Sequence, residues 1–450
     1  MILIWIPGIF LFFGLVSWAA GRWNMEAPRW IALSALLVNS ILITLFCLKN
    51  ISPAGSEAMS VWLADFDKPW IPSFGIRFHL SMDGLSLLLI ILTQLLGILS
   101  VLISWNEIKH RTGFFHFNIL FILAGISGVF LASDLFLFYF FWEVMLIPMY
   151  FLIAIWGHEN RVYASYKFFL FTQGSGLLML LSILGLYFHH AGVTGVYTFE
   201  ISELIHYASG SSLAVFFMAG FLIAFGVKIP AFLLHPWLPD AHTEAPTAGS
   251  IILAGLMLKT GVYGLIRIVI PLFPDLSVSI APFAMAVGIA GVLYGAKLAF
   301  AQTDFKRLVA YTSVSHMGFI IIGLYAFNGI AFRGAVMQMV AHALSTGGLF
   351  VVAGIVQERL HTRELKNLGG LWDDMPVLGG FTFVFVMASL GLPALANFVA
   401  EFMVLLGTYL SNPLLGILAS LGLIVSVIYA LRIMQKVFFG PNNSHIMQGM

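Results

Sequence analysis

The sequence predicts an all-α, polytopic transmembrane helical bundle, and three observations predict it. Hydrophobic residues make up 60% of the 450 and charged residues only 9%, and the mean hydropathy is +0.99, far from the balance of a soluble domain. The apolar residues come in runs near the length, about 20 residues, at which an α-helix crosses the hydrocarbon of a bilayer. The short alternating segments of a membrane β-barrel do not appear. Because unpaired backbone groups are costly in lipid, such runs must close their hydrogen bonds internally as helices.

Taken in order, spans are expected near residues 2–20, 30–48, 84–104, 114–132, 134–155, 166–188, 213–234, 248–270, 280–301, 307–326, 334–357, 377–410 and 412–436. The first lacks a basic flank ahead of it and is followed by Arg22 and Arg29, so it is expected to be a retained span rather than a signal peptide. The seventh and twelfth contain Pro230 and Gly391-Leu392-Pro393, which remove a helical hydrogen bond and should break each run. The connection at about 49–83 is the longest, and the alternation in Ile71 to Leu80 predicts a small β element there.

Lys and Arg divide unevenly between the two sides. Thirteen lie on odd-numbered connections and the tail, four on even-numbered ones, and Lys228, Lys259, Arg267 and Lys297 lie within spans. The positive-inside rule therefore puts the odd side in the cytoplasm and the N-terminus outside. A net charge of +1 offers nucleic acid no basic surface, and no Walker loop or dinucleotide fingerprint is present. The single cysteine, Cys47, cannot supply an iron–sulfur cluster, which needs several thiolates.

A weak internal repeat is visible. Pro230 and Pro393 are 163 positions apart, and Glu143 and His316 are 173 apart, with five spans between the members of each pair. An odd number of crossings turns matched helices upside down, so two inverted five-helix repeats are expected. The corresponding organisation is 1–112 for N-terminal helices, 113–270 and 271–436 for the repeats, and 437–450 for a C-terminal tail.

Ionisable residues inside spans carry the functional expectation, because each costs roughly 2.5–3.5 kcal/mol at a helix centre unless paired or wetted. Glu143 lies nine residues into its span from Asp134, about 13 Å at helical rise. Lys228 sits two residues before Pro230, Lys259 lies mid-way along the eighth span, and Glu401 follows Pro393 by eight residues. One such residue is readily a structural ion pair; four at mid-depth point to proton transfer, since moving a neighbouring charge loads or unloads a buried amine. His316 and His342 extend the set, as imidazole passes protons between its two nitrogens. Interior hydrogen-bonded histidines, or a haem held between the pair, are the competing explanations. His235, Asp240 and His242 have the spacing of a zinc site but lack a helical His pair; a water-admitting loop at the mouth of the broken seventh span suits them better.

At these residues the sequence becomes specific. The run Phe225-Gly-Val-Lys-Ile-Pro-Ala-Phe-Leu-Leu-His-Pro-Trp-Leu-Pro-Asp-Ala-His-Thr-Glu-Ala-Pro-Thr247 and the run from Ala301 to Gly318 resemble the signatures of the antiporter-like subunits of proton-pumping NADH:quinone oxidoreductase (respiratory complex I), a superfamily shared with Mrp-type Na⁺/H⁺ antiporter subunits. The resemblance covers essentially the whole chain. It implies that Glu143 pairs with Lys228, that Lys259 is the central lysine, and that His316 and His342 belong to a polar axis at mid-membrane. Glu401, where the L and N types carry lysine, is similar to the M type. It further implies a multi-pass subunit of a bacterial plasma membrane, beside L- and N-type chains, with NADH, FMN, iron–sulfur clusters and quinone in partner subunits and no cofactor or metal here. Fourteen spans are usual in that family and thirteen are read, so the fourteenth is expected to be absent from these residues. A sodium-exchanging Mrp subunit, a membrane subunit of a hydrogenase complex and a membrane scaffold are the alternatives.

Overall fold

A computed structural model describes residues 1–50 and 62–441. Part of the expected external connection, 51–61, and most of the expected tail, 442–450, lie outside the described residues.

The helices are α1 (Ile2–Ala20), α2 (Ala27–Asn50), α3 (Gly84–Glu107), α4 (Thr112–Leu131), α5 (Leu135–Trp156), α6 (Arg161–Thr194), α7 (Ala214–Lys228), α8 (Trp237–Glu244), α9 (Thr247–Leu272), α10 (Pro274–Ala301), α11 (Phe305–Tyr325), α12 (Gly329–Leu360), α13 (Pro376–Leu390), α14 (Ala396–Ser411) and α15 (Pro413–Phe438). Among the described residues, eleven are long and apolar enough to cross a membrane, and α7, α13 and α14 are shorter apolar helices. Every expected span therefore has its counterpart, with the seventh and twelfth broken. Helix α7 stops at Lys228, short of the expected 234, because Pro230 cannot continue the ladder. The loop expected over 235–242 is instead largely the two-turn helix α8. The β element is a two-stranded antiparallel hairpin, β1 (Ala64–Ile71) with β2 (Ile76–Met82).

Starts are set by side-chain caps. Asp83, Asp134, Asp304 and Asn328 accept backbone N–H bonds at the first turns of α3, α5, α11 and α12, satisfying donors that lipid cannot. Helix α9 departs from regular geometry: two wide π-helical turns, Leu253–Met257 and Leu265–Val269, flank Leu258–Gly264.

Contacts divide the chain into two compact units, residues 1–225 with 263–276, and 226–262 with 277–450. In the first, α4 is the inner helix, with 83% of its apolar window buried against 33% for α1; α1 and α4 approach closely where Gly21 faces Gly113. In the second, α11 is inner, at 94%, and Gly354 of α12 lies so near α9 that a Cβ there would fall 2.4 Å from Thr247 Oγ1.

One local arrangement occurs in both units. Asp134 caps α5 and bridges to Glu200, with Leu135 N donating to Phe199 O and Ile201 N to Ser133 O. Asp304 caps α11 and bridges to Glu364, with Phe305 N donating to Arg363 O and Leu365 N to Thr303 O. Two matched backbone bonds around each capping aspartate form a stronger likeness than the two proline and two ionisable positions visible in the sequence.

In the first unit the hairpin is held by charge. Arg77 pairs with Asp67, and His79 lies between Glu200 (2.7 Å to Nδ1) and Asp65 (2.9 Å to Nε2). Burial opposes the imidazolium, but the bonds to Glu200 and Asp65 outweigh it and raise its pKa from 6.5 to about 9.

Two outcomes are expected. Because the His79 pKa is raised on folding, its stabilisation is complete below about pH 6.5 and is lost as pH rises through about 9; amide protection factors over 64–82, corrected for base-catalysed intrinsic exchange, should fall from pH 7 to 10, and His79→Gln should remove that fall. Gly354→Val should push α12 from Thr247 and destabilise by about 1–3 kcal/mol through overpacking, read as a lower unfolding midpoint in detergent, whereas Gly380→Val, where no heavy atom lies within 4 Å of a Cβ, should be nearly silent.

Candidate functional site

The site is built around the irregular geometry of α9. In a π-helical turn the backbone bond skips one residue further, as Leu258 N–H to Leu253 O shows, so the spacing of carbonyls along that face changes. Lys259 follows directly, and its Nζ donates to Ala254 O at 2.6 Å. The same Nζ lies 2.6 Å from His342 Nδ1 on α12. Lys259 and His342 are both 0% exposed, so this amine has exchanged water for one carbonyl and one imidazole.

His316, on α11, is next. Its ring centroid is 5.5 Å from that of His342, at 66°. Its Nδ1 lies 3.1 Å from Glu401 Oε1 and its Nε2 3.1 Å from Ser389 Oγ. Gln338, one turn before His342 on α12, donates to Glu401 Oε1 at 3.1 Å and lies 3.2 Å from His316 Nδ1. The break between α13 and α14 makes this possible. Gly391 adopts φ +78, a left-handed conformation that ends the helix without a Cβ penalty, and a Cβ there would lie 2.9 Å from Glu401 Oε2. The break thus brings Ser389 and Glu401, from its two sides, onto one histidine.

Lys259, His342, His316 and Glu401, four residues expected from the sequence, therefore form one buried line in the second unit. Lys228 is also there, 1% exposed at the end of α7, where the released Val227 carbonyl is taken by the Trp237 indole at 2.9 Å. Glu143 lies in the first unit, on α5, half-buried, hydrogen-bonded by Tyr139 and close to Gly176 of α6, whose absent Cβ leaves Oε1 its room.

Gln338, Ser389 and Tyr429, whose hydroxyl reaches 3.4 Å from His316 Nε2, were not singled out from sequence. Gln338 carried a signal, being four residues before His342 and hence on the same helical face. Lys306 was assigned to a connection, yet it is 0% exposed in the first turn of α11, reaching Ala245 O at 3.4 Å. A cation at a helix N-terminus opposes the helix dipole, and that misfit was the available clue.

His235, Asp240 and His242 do not form a donor group among the described residues. Asp240 pairs with Arg307, while His242 stacks on Phe350 at 4.6 Å. The His316 and His342 ring centroids are 5.5 Å apart and His316 Nε2 lies on Ser389 Oγ, so the two rings leave no room for a porphyrin and its iron between them.

The family model described as NADH:quinone oxidoreductase/Mrp antiporter, transmembrane, matches residues 132–428. The chain belongs to that family. Among the family's curated members, it is 49% identical to NADH-quinone oxidoreductase subunit M of Escherichia coli K12 and 50% identical to that of Pseudomonas aeruginosa, in each case over 99% of this chain and 89% of the relative. A chain in the structure of respiratory complex I from Thermus thermophilus with bound NADH matches with a TM-score of 0.86 and 31% identity over 98% of this chain and 90% of that one. The Mrp complex from Dietzia sp. shares the fold, with a TM-score of 0.81 at 22% identity over 98% and 80%.

Gly391→Ala should strain the left-handed turn by roughly 1 kcal/mol and push the Glu401 carboxylate off His316. The expected result is a shifted carboxyl stretching band in infrared spectra of the purified protein, a band that Glu401→Gln abolishes.

Proposed function

We propose that this chain is the M-type proton-translocating subunit of an NADH:quinone oxidoreductase, multi-pass in a bacterial plasma membrane with its N-terminus outside. The buried line from Lys259 through His342 and His316 to Glu401 carries the proposal. Each member can hold or release a proton, the Lys259–His342 and His316–Glu401 pairs approach to 2.6 and 3.1 Å, within reach for direct transfer, and the two imidazole rings are neighbours, 5.5 Å apart between centroids. As an ammonium, Lys259 donates to His342; once it has released its proton, the amine can accept one. Gln338 holds Glu401 in place without titrating.

Protons enter from the cytoplasm near Lys228, pass along Lys259, His342 and His316, and leave towards the outside by way of Glu401. Glu143 sets the timing by its separation from Lys228, and quinone reduction in partner subunits supplies the energy. NADH, FMN, iron–sulfur clusters and quinone belong to those partners, with L- and N-type chains as membrane neighbours. The domain scheme is two inverted repeats, 113–270 and 271–436. Supporting it, the capping arrangements at Asp134 and Asp304 lie on an even and an odd connection, hence on opposite sides by the charge count.

The test uses the whole complex in sealed vesicles. Lys259→Ala and, separately, Glu401→Ala should lower NADH-driven proton uptake by about 10²-fold while electron transfer from NADH to a water-soluble acceptor stays intact. Unchanged pumping in an assembled variant would defeat the proposal.

A further inference from the structure

Outside the proton line, the second unit carries a feature the proposed transport does not use. A cavity of about 340 Å³ lies at the C-terminal end of α15, lined by Thr303, by Lys366 and its neighbours, and by Arg432, Gln435, Lys436 and Phe439. Three of these side chains are cationic, and no carboxylate is among the lining residues. The Arg432 guanidinium is fixed, donating to Phe300 O and lying 4.7 Å from the centroid of the Phe300 ring, so one positive charge is already ordered at the rim.

The depth of this cavity follows from helix length. Helix α15 has 26 residues, about 39 Å at helical rise, against about 30 Å of hydrocarbon; its basic end emerges where lipid headgroups lie. An apolar stripe runs up to it. Leu421, Ile424, Ile428 and Leu431 are 42%, 64%, 48% and 48% exposed and recur every three or four residues, so they lie on one face. Beyond the stripe the helix closes in a wide π-helical turn, Met434–Phe438, and Gln435 in that turn and Phe439 just past it line the cavity. A small anion would use the cavity and leave the stripe idle, whereas a molecule with an anionic head and acyl chains uses both.

We propose that this cavity binds the phosphate headgroup of an anionic membrane lipid, with its acyl chains laid along the exposed face of α15. Lys366 and Lys436 supply mobile point charges, Arg432 a planar donor fork, and the helix surface supplies the apolar track; basic pockets between spans are suited to this chemistry. The site serves to anchor the α15 end against the second unit rather than to carry protons.

The experiment uses the assembled complex in nanodiscs containing a trace of phosphatidylglycerol with a photoreactive acyl chain, or phosphatidylcholine carrying the same group. Labelling of the 421–439 peptide should be strong with the anionic lipid and weak with the zwitterionic one. Each single change, Lys366→Gln or Lys436→Gln, should lower it about fivefold, and 0.5 M salt should lower it further, with pumping retained. Equal labelling by both lipids, or insensitivity to the substitutions, would overturn the proposal. So would full competition by millimolar inorganic phosphate, which would make the site one for free anion, or crosslinking of this face to a protein segment in place of lipid.

Discussion

The constraint on which the rest depends is the cost of an amine in oil. Lys259 has no solvent to hold its charge, and the protein meets that cost with a backbone carbonyl and an imidazole rather than with a carboxylate. A carboxylate in contact would hold the proton tightly and fix it as a salt bridge. An imidazole holds it loosely, because it accepts the proton on one nitrogen and releases another from the opposite one. The carboxyl group nearest the amine along this line is Glu401, placed beyond His316 rather than in contact with Lys259.

The broken helices follow from the same constraint. A continuous helix satisfies its own backbone and leaves side chains the only polar groups in the membrane. Breaks at Pro230 and Gly391 release carbonyls and bend the chain, and the two outcomes differ. At the first, the Trp237 indole takes the Val227 carbonyl beside Lys228, so the break is closed by protein. At the second, Ser389 and Glu401 converge on His316, so the break assembles a site. Glycines at both depths, Gly176 beside Glu143 and Gly391 beside Glu401, leave each carboxylate its volume.

Much of the fold was legible because hydropathy in lipid is a strong signal: span after span begins and ends within a few residues of its apolar run. What the sequence concealed was geometry internal to a run. Nothing in Leu253 to Met257 announces a wide turn, since apolar residues fit either ladder, and α8 was mistaken for a loop because Pro236 and Pro239 read as breakers although the first turn tolerates proline. The charged members of the site were legible because a charge in a span is conspicuous. Gln338, Ser389 and Tyr429 were not, because amides and hydroxyls are common in helices at every depth. The matched arrangement at Asp134 and Asp304, 170 positions apart, involves residues other than the proline, Glu143 and His316 positions read from the sequence, because backbone bridges leave no mark in composition.

The two wide turns of α9 give Lys259 a freedom that no other charged residue of the line has. Each holds one residue more than a regular ladder needs, so such a turn can migrate along a helix by exchanging bonds, with none lost in the count. Were the first to pass through the position of Lys259, the side chain would swing by about 100° around the axis, away from His342 and towards a different neighbour. A swivel of that kind, powered by nothing larger than a slipped backbone register, would let one lysine face two directions in turn while the helix itself stays put.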